Sequence, residues 1–251
     1  MSTDAGPAPF LLLSIRAEDA AADDEYAAMM RFAGLDTSGM HRIRMTHRSL
    51  GEIDLADWSG IILGGGPYNV SDAADSKSQT QRRVESELLP LIRRIVDDDF
   101  PFLGCCYGVG TLGSVVGATV DRTYTEPVGA LTVTLTEHGR RDPLFAELPE
   151  VFDAYGGHKE GASALPSDLA CLAYSADCPI QAFRVGDNVY ATQFHPELDA
   201  DGISTRIDVY KDYGYFAPET AESLKSAALQ RSIEHPPSIL RRFAERYARP
   251  A

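Results

Sequence analysis

The sequence predicts an α/β fold with a largely parallel central sheet. Short apolar runs alternate along the chain with segments of helical periodicity, a pattern typical of βαβ units. Two of these runs end directly in glycine-containing turns, at residues 64–67 and 104–108. A chain of 251 residues, 44% of them hydrophobic, is long enough to bury a substantial core. Since the sequence contains no internal repeat or linker, we expect one continuous domain over residues 1–251.

Composition and charge exclude several functions. The net charge is −14, with 23 basic and 37 acidic residues, whereas binding to a nucleic acid backbone requires clustered Lys and Arg. The first apolar run, residues 10–13, is too short to span a bilayer and lacks the preceding positive charge of a signal peptide. Four cysteines, two of them adjacent, do not form a disulfide framework. We therefore expect a cytoplasmic protein with neither nucleic acid nor membrane as a partner.

The N-terminal half alternates predicted strands with predicted helices. Strands are expected at three buried apolar runs, residues 10–15, 60–63 and 100–103. Residues 23–35 have an acidic start and end near a glycine, which indicates a helix. Residues 76–98 form the longest predicted helix, because their apolar side chains recur on one face. Pro90 lies inside this segment and should kink or split the helix.

The C-terminal half begins with shorter strands and ends in helices. Strands are predicted at residues 131–135, 169–174, 181–185 and 189–194. The turn at residues 186–188 between the last two is typical of a hairpin. From about residue 198 the chain is polar and mostly helical, with helices expected at 218–228 and 238–247. We expect this segment to be a helical extension of the domain.

The clearest chemical signal is Gly104-x-Cys106-x-Gly108, which lies between a predicted strand and a helical segment. A nucleophile on a sharp strand-to-helix turn brings the residues two positions to either side into close contact, which favours glycine at both. The helix N-terminus that follows would favour the thiolate of Cys106. The remaining cysteines lack this pattern and are interpreted as small buried side chains: Cys105, Cys171 and Cys178.

A thiol nucleophile needs a base, an orienting group and donors for an oxyanion. His195 follows an apolar run, and Pro196 ends that strand, so His195 is expected at the C-terminal edge of the sheet, where ligand crevices form. Glu197 could bind one imidazole nitrogen and leave the other to face the thiol. The glycines at residues 64–66 free the backbone to present N–H groups, although a tight turn would explain them equally well. The Tyr107 N–H could supply one further donor.

Residues 108–113 match the dinucleotide-binding pattern G-x-G-x-x-G, but we interpret the match as accidental. A dinucleotide fingerprint leaves its strand directly into the first glycine. Here residues 104–107 intervene, so these glycines should already lie within the helix and allow its close packing on the sheet.

Together these motifs resemble the class I (triad) glutamine amidotransferases. The resemblance rests on residues 64–67, 102–108 and 193–197, in that order, and residues 142–145 and 181–184 are similar to the stand-alone branch related to the amidotransferase domain of GMP synthase. It implies a three-layer, Rossmann- or flavodoxin-like sandwich with a mostly parallel sheet and flanking helices. It also implies a Cys106-His195-Glu197 triad that releases ammonia from a γ-glutamyl amide through a thioester on Cys106. The implied oxyanion donors are Gly65, Gly66 and Tyr107, and neither a cofactor nor a metal is implied.

The residues expected to bind substrate depart from the family pattern. The resemblance places four of them there: Gly64, Gly110, His158 and Glu160. Gly110 stands where the family usually has a glutamine, and His158-Lys159-Glu160 stands where it usually has His-Gly-Asp. We expect Gly110 to leave space for a γ-glutamyl compound larger than glutamine. Alternatively, Gly110 only lets the helix pack closely on the sheet.

The sequence leaves the fate of the released amine open. No phosphate-binding loop is present, and the 54 residues after Glu197 are too few for an ATP-pyrophosphatase domain. Ammonia could pass to a separate synthetase or acceptor protein, or the protein could be a γ-glutamyl peptidase on the same scaffold. A third interpretation is a non-catalytic regulatory binding protein, which the presence of Cys106, His195 and Glu197 argues against.

Overall fold

The computed structural model describes residues 7–249, and its largest element is a nine-stranded mixed sheet. The strands are β1 (Phe10–Ser14), β2 (Met40–Arg44), β3 (Gly60–Leu63), β4 (Phe102–Cys105), β5 (Thr119–Asp121), β6 (Glu126–Leu135), β7 (Val151–His158), β8 (Gly161–Ala164), β9 (Ala170–Tyr174), β10 (Ala182–Val185) and β11 (Val189–Thr192). The helices are α1 (Asp19–Ala33), α2 (Gln79–Asp97), α3 (Tyr107–Val116), α4 (Glu137–Arg141), α5 (Ala200–Tyr210), α6 (Ala221–Leu229) and α7 (Pro237–Tyr247).

The sheet has a parallel half and an antiparallel half. Its order is β2-β1-β3-β4-β11-β10-β9-β6-β7, and the first five strands pair in parallel. The pairings from β11 to β7 are antiparallel, and β5 and β8 form a separate two-stranded sheet. The parallel half brings the C-terminal ends of β3, β4 and β11 to one edge of the sheet. This edge is where ligand crevices form in α/β proteins.

Helices cover both faces of the parallel half, which confirms the predicted α/β class. Along β1, the side chains of Phe10 and Leu12 pack in a cluster with α1 and α7, whereas Leu11 and Leu13 pack in a second cluster with α2 and α3. This alternation follows from the two-residue period of a strand, and it explains why the run is apolar at every position. The result is a three-layer arrangement of helices, sheet and helices.

Several elements differ from those expected. Pro90 was expected to kink or split its helix, and the split is wrong, because α2 is one element from Gln79 to Asp97. Pro90 lies on the exposed face, as does Ser86 one turn before it, so the carbonyl that loses its N–H partner faces water. The hairpin at residues 186–188 is confirmed by the antiparallel pairing of β10 and β11. Strands β2 and β7, at opposite edges of the sheet, were not predicted. Both mix polar residues or glycines with apolar ones.

The helices after residue 198 pack onto the main body of the fold. Helix α7 packs on α1, where Phe243 stacks against Phe10 of β1 with ring centroids 5.8 Å apart. Residues 193–199 connect β11 to helix α5, which contacts α1 and α6. Among residues 7–249, no helix is both long and apolar enough to cross a membrane. The expected extent of the domain stays a prediction.

Candidate active site

Cys106 occupies a sharp turn between β4 and α3. Its backbone has φ 54° and ψ −86°, a left-handed conformation that is uncommon outside glycine, and α3 begins at the next residue. A Cβ placed on Gly104 would lie 2.8 Å from the Gly108 Cα, so the turn requires glycine at Gly104. A Cβ on Gly108 would meet nothing within 4 Å, so the expected steric requirement holds on one side only. The strained turn and the helix N-terminus match the geometry expected for a nucleophile.

His195 and Glu197 lie beside this turn because β11 pairs in parallel with β4. The Cys106 N–H donates to the Thr192 carbonyl at 2.7 Å, which aligns the ends of the two strands. His195 then follows within three residues, and its N–H donates to the Tyr155 carbonyl of β7. His195 Nδ1 lies 2.8 Å from Glu197 Oε1, which leaves Nε2 as the free ring nitrogen. The geometry is that of a base held by a carboxylate beside a thiol.

Both members of the His195–Glu197 pair are buried, and each stabilises the charged form of the other. Burial lowers the pKa of His195, but the Glu197 carboxylate and the Cys106 side chain raise it to about 9. Burial raises the pKa of Glu197, but His195, Arg206 and Arg16 together hold it well below its usual range. The imidazolium form of His195 is therefore favoured at neutral pH, and this form can supply a proton to a leaving group.

The glycines after β3 lie against the same groups. A Cβ on Gly65 would be 2.5 Å from His195 Cε1 and 3.3 Å from Cys106 Cβ, and one on Gly66 would be 2.7 Å from Ile15. Only glycine permits this close approach. Within residues 7–249, no hydrogen-bond acceptor is found for the N–H groups of Gly65, Gly66 or Tyr107. Their expected role as donors to an oxyanion stays a prediction.

Two clefts meet at Cys106. The first, whose volume of about 490 Å³ includes space open to solvent, is bordered by His195, together with residues of α5 and of the segment after it. The second, of about 250 Å³, is bordered by Tyr107, His158, Glu160 and Gln193. Gly66 and Tyr215 border both clefts. A substrate attacked at Cys106 can therefore place one part in each cleft.

The expectation that Gly110 leaves open space was wrong. A Cβ on Gly110 would overlap Glu160 Oε1 and lie 3.3 Å from the Val70 side chain. The Glu160 carboxylate is fixed there by the N–H groups of Val70 and Ser71, each at 2.8 Å. The volume that a glutamine side chain would take is thus occupied by Glu160, which lies 50 residues further along the chain.

His158 uses both ring nitrogens within the protein. Its Nε2 lies 2.8 Å from Glu126 Oε2 and its Nδ1 lies 2.9 Å from the Glu160 carbonyl oxygen. It therefore fixes the backbone that carries Glu160, and neither nitrogen is left for substrate. Glu126, His158 and Cys178 offer ligand atoms within 4.8 Å of one another. Because Glu126 also accepts from Ser175 and Gln181, its oxygens are already hydrogen-bonded.

Gly64 borders neither cleft. Its N–H donates to the Leu13 carbonyl, and a Cβ there would lie 2.6 Å from Glu25 Oε2. Gly64 instead makes room for the buried Glu25 carboxylate, which binds Arg16 at 2.8 Å and Ser14 at 2.9 Å. Its expected contact with substrate stays a prediction, without support from this geometry.

Sequence reasoning missed Arg16, Arg206 and Tyr215, which all border the first cleft. Arg16 follows β1 and Arg206 lies in α5, so they meet only through tertiary packing. The position of Arg16 could have been predicted, because it follows the predicted strand β1 and residues after a parallel strand lie at the edge of the sheet where ligands bind. The positions of Arg206 and Tyr215 could not, since nothing in a polar helical segment shows which of its residues face Cys106.

The other cysteines match their expected structural role. Cys105 and Cys178 are buried, Cys171 is partly buried, and all are free thiols. Burial raises the pKa of Cys105 and Cys171, and it raises the pKa of Cys178 to about 11. Their neutral thiols are poor nucleophiles.

The model of the family "Glutamine amidotransferase class-I" matches residues 36–206, which include the Cys106 turn and the His195–Glu197 pair. The chain belongs to this family. A subunit of the glutamine-hydrolyzing GMP synthase of Methanobrevibacter smithii is 28% identical over 151 residues, covering 60% of this chain and 70% of that protein. A glutamine-hydrolyzing GMP synthase of Thermomicrobium roseum is 32% identical over 57% of this chain. The chain covers only 25% of that longer protein, and 28% of the GMP synthase of Petrotoga mobilis.

Solved structures share the fold of this amidotransferase. A glutamine amidotransferase of Thermotoga maritima has a TM-score of 0.69 at 23% identity, covering 95% of this chain and 97% of that chain. A glutamine amido transferase of Methylobacillus flagellatus has a TM-score of 0.69 at 16% identity, covering 96% and 94%. The likeness extends beyond residues 36–206 of the family match.

Proposed function

We propose that this class I glutamine amidotransferase hydrolyses the amide bond of a γ-glutamyl compound through a thioester on Cys106. The observation that carries the proposal is the meeting of Cys106, in its strained turn before α3, with His195 held at 2.8 Å by Glu197. The N–H groups of Gly65, Gly66 and Tyr107 have no acceptor among the described residues, and we assign them to the oxyanion.

The reaction would follow from these positions. Cys106 as thiolate attacks the amide carbon, and the oxygen that becomes negative is stabilised by the free backbone N–H groups. His195, as imidazolium, gives its proton to the leaving nitrogen. It then accepts a proton from the water that hydrolyses the thioester. Glu197 keeps the imidazole in the required orientation and stabilises its charge.

Glutamine is the first substrate to test, because relatives at 25–28% identity are named glutamine-hydrolyzing. The M. smithii and Thermoplasma acidophilum relatives are also named as subunits, which supports a separate synthetase as acceptor of the ammonia. The altered second cleft, with Glu160 beside Gly110, favours instead a γ-glutamyl hydrolase with a different substrate. A substrate contact of Glu160 and a cytoplasmic location are further proposals, whereas the expected contacts of Gly110 and His158 gain no support from the geometry.

Ammonia release from glutamine, measured by coupled glutamate dehydrogenase, tests the proposal. We expect turnover by the wild type, none by Cys106→Ala, and turnover by the matched variant Cys105→Ala, which removes the neighbouring buried thiol. If glutamine is inactive, γ-glutamyl peptides and amides are assayed next by glutamate release. Equal turnover by wild type and Cys106→Ala would contradict the proposal. Inactivity toward every γ-glutamyl compound would favour a non-catalytic binding protein.

A further inference from the structure

Helix α5 places a buried arginine next to the His195–Glu197 pair. Arg206 is only 6% exposed, and none of its three guanidinium nitrogens makes a hydrogen bond with a described residue. Three carboxylates surround it, with oxygens at 3.7 Å in Glu25, 3.9 Å in Asp24 and 4.0 Å in Glu197. Charges this close interact strongly in a buried site even without a hydrogen bond. Arg206 therefore acts on these carboxylates through its charge.

The buried charges in this region divide into two pairs. Glu25 and Glu197 are fully buried, whereas the side chain of Asp24 is 27% exposed and reaches water. Arg16 is committed to Glu25, because its Nε donates to that carboxylate at 2.8 Å. Of the two arginines, Arg206 is therefore the one left to balance the charge of Glu197. The other titratable groups that face this cluster are His195, Cys105 of β4 and Tyr210 of α5.

The other cation beside Glu197 is His195, and its charge is temporary. Glu197 Oε1 lies 2.8 Å from His195 Nδ1, whereas Oε2 has no hydrogen-bond partner among the described residues. The imidazolium form balances the carboxylate until it gives its proton to the leaving nitrogen. Burial raises the pKa of Glu197, so beside a neutral imidazole this carboxylate depends on the arginines to stay ionised. Arg206 keeps its charge throughout, because a guanidinium stays protonated in proteins.

The protonation state of Glu197 decides which nitrogen of neutral His195 can act as a base. An ionised Glu197 accepts a hydrogen bond from Nδ1–H, which leaves the lone pair on Nε2, the free ring nitrogen. A protonated Glu197 would instead donate to Nδ1, and the remaining ring proton would lie on Nε2. In that tautomer Nε2 could not accept a proton from water.

We propose that Arg206 is a positioning residue that keeps Glu197 ionised after His195 has lost its proton, and so supports hydrolysis of the thioester. This inference rests on the proposed function and concerns its second half. In that step a water oxygen bonds to the thioester carbon, and one water proton passes to Nε2 of His195. The carbon–sulfur bond then breaks, which restores the Cys106 thiolate and the imidazolium. The new γ-carboxyl group of glutamate releases the other water proton to solvent.

Single-turnover kinetics separates the two halves of the reaction. Excess enzyme is mixed with glutamine, or with the γ-glutamyl compound that the wild type hydrolyses fastest, and quenched samples are assayed for amine and for glutamate. Release of the amine reports attack by Cys106, and release of glutamate reports hydrolysis of the thioester. Arg206→Met should release the amine at close to the wild-type rate. It should release glutamate about 10–10²-fold more slowly, near or below the lower end of the loss expected for removing the base itself.

Two further variants test whether charge is the property that matters. Because Arg206 makes no hydrogen bond to the carboxylates, Arg206→Lys should keep thioester hydrolysis close to the wild-type rate. Adding Arg206→Met to Glu197→Gln should slow hydrolysis no further than Glu197→Gln alone, since no charge remains to be preserved. This double variant loses one buried charge of each sign and serves if Arg206→Met does not fold. Arg93→Met, which removes an exposed arginine of α2, should leave both rates unchanged.

The outcomes distinguish this inference from the proposed function. Wild-type rates in Arg206→Met, or equal slowing of amine and glutamate release, would overturn the inference while hydrolysis by the wild type still supports the proposed function. Slowing in Arg206→Lys as large as in Arg206→Met, or further slowing in the double variant, would also overturn it. Absence of hydrolysis of every γ-glutamyl compound by the wild type would overturn both.

Discussion

Gly110 and Glu160 should be energetically coupled, although 50 residues separate them in the chain. The change that tests this is Gly110→Ala, made in the wild type and in Glu160→Ala. In the wild type, the new methyl group overlaps Glu160 Oε1, which must then leave the Val70 N–H that it accepts from at 2.8 Å. In Glu160→Ala the obstruction is gone, and the nearest remaining atom belongs to the Val70 side chain, 3.3 Å from the methyl group.

The structure gives both the sign and the size of the effect. Loss of one hydrogen bond to a charged group costs about 1.5–3 kcal/mol, while Gly→Ala in a helix interior gains about 1 kcal/mol. Gly110→Ala should therefore lower the free energy of unfolding by about 0.5–2 kcal/mol in the wild type, from the difference of these two effects. In Glu160→Ala the same change should be neutral or stabilise by up to about 1 kcal/mol. The coupling energy is expected to be about 1.5–3 kcal/mol.

Urea denaturation of the four proteins measures this coupling. Gly108→Ala is the matched control in the same helix, because its methyl group meets nothing within 4 Å, and it should be neutral or stabilising. Additive effects of Gly110→Ala and Glu160→Ala would refute the assignment of Glu160 to this space. Gly110→Gln would likewise displace Glu160, so we do not expect it to raise glutaminase activity.

Three further predictions concern the groups around the thiol. His195→Ala should lower kcat by about 10²–10⁴, the usual effect of losing a general base. Glu197→Gln should lower kcat less, because the amide keeps part of the hydrogen bond that orients the imidazole. Unchanged turnover in His195→Ala would exclude His195 as the base. The pKa of His195 is raised from 6.5 to about 9 in the folded state, so its stabilising effect is complete below pH 6.5 and lost as pH rises through 9. The difference in unfolding free energy between wild type and His195→Ala should shrink over that interval, and a constant difference would contradict the shift. Gly65→Ala should abolish turnover in a folded protein, since its Cβ would lie 2.5 Å from His195 Cε1, whereas wild-type activity would contradict the close approach.

The features that the sequence predicted depend on local signals. Cys106 could be identified because glycines flank it at the spacing typical of a strand-to-helix turn. His195 could be identified because Pro196 follows it at the end of an apolar run. The edge strands β2 and β7 were missed because polar residues and glycines break their apolar patterns. Such strands gain their stability from pairing with a neighbour, which the local pattern does not record.

The features that the sequence could not predict depend on contacts between distant segments. Arg16 follows β1 and Arg206 lies in α5, so they are far apart in the chain although both border the first cleft. Arg16 pairs with Glu25, and Arg206 lies near Glu25 and Glu197. The sequence showed that Gly110 replaces the family's usual glutamine. It did not show that the Glu160 side chain fills the space, because a sequence does not record which distant residue packs there. Substrate pockets were therefore predicted less well than the groups that react.

Covalent labelling of Cys106 tests the central claim most directly. A glutamine-like diazo ketone is incubated with the intact protein, and the mass gained is assigned to a cysteine by peptide mass spectrometry. The account predicts one adduct on Cys106, none in Cys106→Ala, and an unchanged adduct in Cys105→Ala, because Cys105 is buried with a raised thiol pKa. An adduct that survives in Cys106→Ala would contradict the account.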